Sequence, residues 1–184
     1  EHGLGVLPAG ATLTALPHCN AGGLATGGWG TALGPLVAAA RSGRRVLVYA
    51  DETRPLLQGA RLTAWELSRA GIEVRILVDG AAASVLSREG VDLAIVGADR
   101  IARNGDTANK IGTLSVALGA AHAGVRFFVA APLSTFDFGI ATGSEIPVEE
   151  RSAAEVLGDH APEGAGAVNP AFDVTPARLI RGWI

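Results

Sequence analysis

Arg45-Val46-Leu47-Val48-Tyr49-Ala50 is a short, almost wholly apolar run that leads directly into the polar Asp51-Glu52-Thr53-Arg54. Apolar character without alternation is expected of a strand covered on both faces, as in a parallel sheet sandwiched by helices. Working outward from it, further candidate strands fall at Thr12 to Leu16, Glu73 to Val78, Leu93 to Val96 and Arg126 to Ala131. Helical candidates lie between or beside them at Gly30 to Arg41, Gly59 to Ala70, Ala81 to Arg88 and Ile111 to Ala123. In the second of these, Leu62 and Trp65 fall at helical spacing with Leu67 at the edge of the stripe. Gly43, Gly71, Gly90 and Gly124 stand where the helices should end. Strands alternating with helices in this way predict βαβ units and an α/β, doubly wound, Rossmann-like domain with a mostly parallel sheet. The stretch 131–184 changes character, with Pro, Gly and acidic residues. It reads as a wrapping tail ending in a short helix from Pro176, so that 1–184 form one domain.

Composition narrows the function. The 184 residues are 48% hydrophobic with a net charge of −3, and the mean hydropathy is +0.32. These values fit a folded domain and offer no electrostatic footprint for nucleic acid. The most apolar long stretch, Leu114 to Leu133, is interrupted by His122 and Arg126, so no membrane span is expected. The single cysteine excludes an intrachain disulfide framework. Met is absent altogether, which suggests a piece of a longer product.

Ligands of open α/β sheets bind outside the carboxyl ends of the strands, and the polar residues collect there. The strands run in turn into His18-Cys19-Asn20, Asp51-Glu52-Thr53-Arg54, Asp79, Asp99-Arg100, and Pro132 with Ser134 and Thr135. Cys19 and Asp99 come from different strand ends and could face each other across a cleft as an acid and a base. Taken singly, a lone Cys also reads as a small buried hydrophobe and an Asp after a strand as a turn cap. Cys19 leads into the glycine-dense Gly22-Gly23-Leu24-Ala25-Thr26-Gly27-Gly28-Trp29-Gly30, where backbone can approach an anion closely. A helix N-terminus following it would depress the thiol pKa. Asn109 and Lys110, after the loop Arg103-Asn104-Gly105-Asp106, read as a phosphate or polyol grip at the start of a helix. Gln58 opens a helix and could donate to an anion. His18 could orient its neighbours. Neither dinucleotide nor P-loop glycine patterns are present, and no His or Cys pair has zinc spacing, so neither cofactor nor metal is expected.

Seven segments together resemble the methylthioribose-1-phosphate isomerases. They are His18-Cys19-Asn20-Ala21-Gly22, Asp51 through Gly59, Val96-Gly97-Ala98-Asp99-Arg100-Ile101, Asn104-Gly105-Asp106 with Asn109-Lys110-Ile111-Gly112-Thr113, Ala130 through Thr135, Ile146 through Arg151, and Asn169 through Pro176. The resemblance implies a cofactor-free, cytoplasmic aldose–ketose isomerase of methionine salvage, acting on 5-methylthioribose 1-phosphate. Cys19 and Asp99 would be its catalytic pair. Asn20, Ala21, Gly22, Gln58, Asn109 and Lys110 would hold the sugar phosphate, with backbone donors from the glycine segment. It also implies a homodimer, for which Trp29, Phe136, Phe138 and Trp183 are candidate contact aromatics. The family's N-terminal region, with its phosphate-binding arginine, has no counterpart in this chain, and Pro17 stands where the family has Thr. The chain alone is therefore expected to turn over poorly. Two related classes share the pattern: ribose-1,5-bisphosphate isomerase, and the regulatory alpha, beta and delta subunits of initiation factor 2B, which typically lack the Cys–Asp pair.

Overall fold

The computed structural model describes residues 2–184. Among the described residues there are ten strands: β1 (Thr12–Leu16), β2 (Arg45–Asp51), β3 (Glu73–Leu77), β4 (Leu93–Val96), β5 (Arg100–Ala102), β6 (Thr107–Lys110), β7 (Arg126–Val129), β8 (Phe136–Asp137), β9 (Phe172–Thr175) and β10 (Gly182–Trp183). The helices are α1 (Gly23–Thr26), α2 (Leu33–Arg41), α3 (Ala64–Arg69), α4 (Ala82–Arg88), α5 (Thr113–Ala123) and α6 (Ala154–Leu157). A six-stranded sheet runs in the order β10-β7-β4-β1-β2-β3, with every neighbouring pair parallel.

Alternate residues of each strand point to opposite faces, and the core splits accordingly. Leu13, Val46, Val48, Leu93 and Ile95 pack under α2 and α3, against Leu33, Leu36 and Leu67. Leu16, Tyr49, Ala94, Val96 and Phe127 pack on the other face against Leu86 of α4 and Val116 and Ala120 of α5. This is the doubly wound arrangement expected from the apolar strands. The order also fixes a site. The chain builds outward from β1 through β2 to β3, then returns to lay β4 on the other side of β1. The crevice of such a sheet opens where the order reverses, between the carboxyl ends of β1 and β4.

Three sequence expectations need correction. The stretch 131–184 is woven in rather than wrapped on: β8 and β9 join β5 and β6 in a second, four-stranded sheet, and β10 extends the main sheet beside β7. The terminal helix is a single 3₁₀ turn at Ala177–Leu179 before β10; strand pairing wins because Arg181 and Ile184 donate to the Phe127 and Val129 carbonyls of an otherwise open edge. The helix at Gly59 starts with a π segment, Gly59–Thr63, in which Ala64 N–H donates five residues back to the Gly59 carbonyl. That wider turn shifts the buried face by a residue. Thr63 and Leu67 are fully buried, whereas Trp65 is 52% exposed.

Candidate active site

Cys19 follows β1 in the left-handed region, at φ 61°, which costs a non-glycine residue about 1–2 kcal/mol and persists only where the surroundings impose it. Two threonines impose it. Cys19 N–H donates to Thr53 Oγ1 at 2.9 Å, and Thr63 Oγ1 donates to the Cys19 carbonyl at 2.6 Å. Thr53 is itself left-handed at φ 64°, its N–H held by Asp79 Oδ1 at 2.7 Å. Underneath, the buried His18 ring places Nδ1 2.8 Å from Asp51 Oδ2 and Nε2 2.8 Å from the Ile111 carbonyl.

Cys19, Asn20, Ala21, Asp99, Asn109 and Lys110 all line one cavity of about 560 Å³, together with Trp29, Gly97, Ala98, Thr135 and neighbouring residues. A larger share of its wall is apolar than polar, with the ionisable groups gathered at the β1, β4 and β6 ends, the pattern of a small-molecule site. Burial pushes the Cys19 thiol up, and the Asp99 charge adds to that, against the pull of the Asn20 backbone and Lys110. The direction is opposite to the expected depression, because desolvation outweighs the lowering pull of the Asn20 backbone and Lys110. Asp99 keeps exposed surface in the cavity. Desolvation raises its carboxyl, and the Lys110 ammonium draws it back down. Its backbone N–H bonds the Ala108 carbonyl. Because that bond engages only the main chain, no turn-cap bond ties up the carboxylate among the described residues.

The remaining expected residues divide. Asn109 and Lys110 reach the cavity from strand β6, not from a helix N-terminus. Asn104-Gly105 is the turn joining the antiparallel β5 and β6, closed by Asp106 N–H donating to Asn104 Oδ1. Lys110 Nζ is steadied by the Ala171 carbonyl at 3.1 Å and the Phe172 ring. Asn109 Nδ2 donates to Thr113 Oγ1 at 2.9 Å. Gln58 is not part of the cavity wall; it borders a separate recess on the far side of Lys110, with Arg151 and Glu155. Gly22 also lies behind the wall, packed on the Glu66 carboxylate, where a Cβ would come within about 2.6 Å of it. Glu66 further accepts from Asn20 Nδ2 (2.9 Å), Gly23 N–H (2.7 Å) and Leu24 N–H (3.3 Å). Two of the backbone donors expected for substrate are therefore already committed within the protein.

Thr63 and Glu66 were missed by the sequence reading, and Thr53 was placed at the β2 end without a role, although each shapes the site. The segment also carries Arg61, Ser68 and Arg69, so nothing in the sequence set Thr63 and Glu66 apart from its other polar residues. His18, Asp51 and Asp79 place ligand-type atoms within 4.8 Å of one another. Most of those atoms are already engaged: both Asp79 oxygens accept backbone N–H groups, from Thr53 and Arg54, both His18 nitrogens face protein acceptors, and only Asp51 Oδ1 is buried without a partner among the described residues.

Known proteins share this architecture. A protein from Gemmatimonas aurantiaca named methylthioribose-1-phosphate isomerase is 65% identical over all of this chain, which covers 52% of that protein. A crystal structure of 5-methylthioribose 1-phosphate isomerase from Pyrococcus horikoshii OT3 matches with TM-score 0.91 and 48% identity, over all of this chain and 51% of that one. A crystal structure described as translation initiation factor eIF-2B, subunit delta, from A. fulgidus matches with TM-score 0.93 and 44% identity, over all of this chain and 54% of that one. The chain thus spans about half the length of these relatives. The profile of the Initiation factor 2 subunit family matches residues 9–184, nearly the whole chain, and the chain belongs to that family.

Proposed function

We propose that this chain supplies the catalytic centre of a 5-methylthioribose 1-phosphate isomerase, producing 5-methylthioribulose 1-phosphate in methionine salvage. The observation that carries the reading is the convergence of Cys19, Asp99 and Lys110 on one cavity at the sheet's switch point. The names borne by relatives at 65% and 56% identity support it.

The anomeric carbon of this substrate carries the phosphate, so its ring cannot open as a free sugar's does. Asp99 donates a proton to the ring oxygen as the C1–O bond breaks, leaving C1 electron-poor. Hydrogen then passes from C2 to C1 with its electron pair, and the C2 hydroxyl proton returns to Asp99 as the ketone forms. Atoms and charge balance, and the pair of proton transfers explains why one carboxyl with a raised pKa suffices. Burial pushes the Cys19 thiol above its ordinary range, which favours the protonated form. A protonated thiol is a poor base for C2, and this favours the hydride route, with the thiol packed against the migrating hydrogen. Lys110 stabilises negative charge on substrate oxygens. The test of substrate is turnover of 5-methylthioribose 1-phosphate against ribose 1,5-bisphosphate, by this chain joined to the remaining half of the Gemmatimonas aurantiaca relative. Preference for the second substrate would replace the reading with that of the sister enzyme.

A second reading, a regulatory subunit of initiation factor 2B, is favoured by the A. fulgidus likeness. Under it the cavity groups are idle and neither substrate is converted.

A further inference from the structure

The buried pair beneath Cys19 carries a consequence that hydrogen-bond bookkeeping makes definite. His18 is 2% exposed and Asp51 1%. The Ile111 carbonyl 2.8 Å from Nε2 can only accept, so Nε2 carries a proton. Nδ1 lies 2.8 Å from Asp51 Oδ2, and two lone pairs cannot face each other there, so a second proton sits on that line. We propose that His18 is a positioning residue: with Asp51 it holds two protons as one locked, neutral unit that clamps the ends of β1 and β2 and the turn before α5, and so fixes Cys19. The importance of Cys19 rests on the function proposed above; the proton count does not.

The surroundings agree. Burial alone would drive His18 down, but its hydrogen bond to Asp51, the Asp51 charge, the Ile111 carbonyl and the Asp79 charge outweigh it and raise His18. Burial also pushes Asp51 up, against the lowering pull of His18. The charged groups facing the unit are all anionic. They are Asp79 after β3, Glu52 beside Asp51, and Asp173 of β9, which accepts from Gly112 and Leu114 N–H. Gly112, at φ 104°, leaves the room the ring needs, since a Cβ there would lie 2.6 Å from the imidazole. The link to Cys19 is short. Thr53 Oγ1 both donates to the Asp51 carbonyl and accepts the Cys19 N–H.

The experiment is long-range ¹⁵N NMR of the histidine-labelled chain, with the His18 signals identified by their loss in His18→Gln. In the wild type both His18 nitrogens should stay protonated from about pH 6 to 8, across the range where an unperturbed imidazole loses its proton. Asp51→Asn preserves every hydrogen bond by donating to Nδ1, so there His18 should carry a proton on Nε2 only. The same samples are alkylated at Cys19 with iodoacetamide. Asp51→Asn should stay within about twofold of wild type, whereas His18→Gln, which can satisfy only one of the two acceptors, should shift the rate by about tenfold or more. A wild-type His18 that loses a proton between about pH 6 and 8 overturns the proposal, as does a doubly protonated His18 in Asp51→Asn. A folded His18→Gln with the wild-type alkylation rate also overturns it. If His18→Gln does not fold, the two spectra decide. None of these readouts depends on isomerase turnover, so their failure is separate from failure of the functional reading.

Discussion

Cys19 is held in a conformation that its own side chain does not favour, and the two threonines that hold it are as much part of the site as the thiol. Thr63→Val removes the donor to the Cys19 carbonyl and the acceptor for Asn20 Nδ2. It should cost about 1–3 kcal/mol in chemical denaturation, the range for stranded buried polar groups, with Cys19 alkylation altered in parallel. Asp99 behaves in the opposite way. Its raised pKa means that the folded state holds the proton more tightly than the unfolded chain. The favourable contribution is full below 3.8 and is lost as pH rises through the folded value. At pH 7 Asp99→Asn should therefore match or exceed wild type in thermal stability while losing activity; a clear drop in melting temperature would restore the turn-cap reading. The hydride route predicts that product formed in deuterated water carries no solvent deuterium at C1. Incorporation there would instead favour a proton shuttled through an enediol. At this scale the strand-end residues were legible because the apolar runs stop so abruptly at His18, Asp51 and Asp99. The clamping roles were not: Thr53 sat at a legible strand end with no sign of its bond to Cys19, and Thr63, inside a helix, announces nothing until the fold turns it toward Cys19.

Among the elements, the helix that follows Gln58 is the clearest case of a pattern misread for a physical reason. Regular 3.6-residue spacing puts Leu62 and Trp65 inward, but the π segment at Gly59–Thr63 moves the buried face to Thr63 and Leu67. Leu67→Ala should therefore destabilise by about 2–5 kcal/mol, as full burial requires, and Trp65→Ala by well under that; equal costs in urea titrations would contradict the assignment. The parallel sheet was readable from β2 and β4 because unbroken apolar runs admit few alternatives. The second sheet was not. β5 and β8 are only three and two residues long, and β6, Thr107-Ala108-Asn109-Lys110, reads as polar loop. It becomes a strand because β9 pairs with it along its full length, a long-range partnership no local pattern records. Moving Asn109 and Lys110 from a helix start to a strand changes how they act, through side chains rather than through a helix field.

At the scale of the whole molecule, the order β10-β7-β4-β1-β2-β3 brings Cys19 and Asp99, eighty residues apart in sequence, to the two lips of one crevice. No helix among the described residues is long and apolar enough to cross a membrane. Of the aromatics read as contacts, Trp183 is spoken for by its own fold, its indole donating to Thr107 Oγ1. Phe138 is 65% exposed, and Leu133, next in sequence to the cavity residue Pro132, is 84% exposed. We expect that face to be covered in a homodimer, and light scattering at micromolar concentration should give twice the chain mass; a monomer there would leave the face unexplained. The central claim is that Cys19 and Asp99 work together on a sugar phosphate. The most direct test follows isomerisation of 5-methylthioribose 1-phosphate by this chain joined to the rest of the Gemmatimonas aurantiaca relative, with the chain alone, expected to be weak, beside it. The joined protein should be active, and Cys19→Ser and Asp99→Asn should each fall by about 10²-fold or more, the range for positioned acid–base groups. A folded but inactive joined protein, or variants that keep wild-type rates, would contradict it.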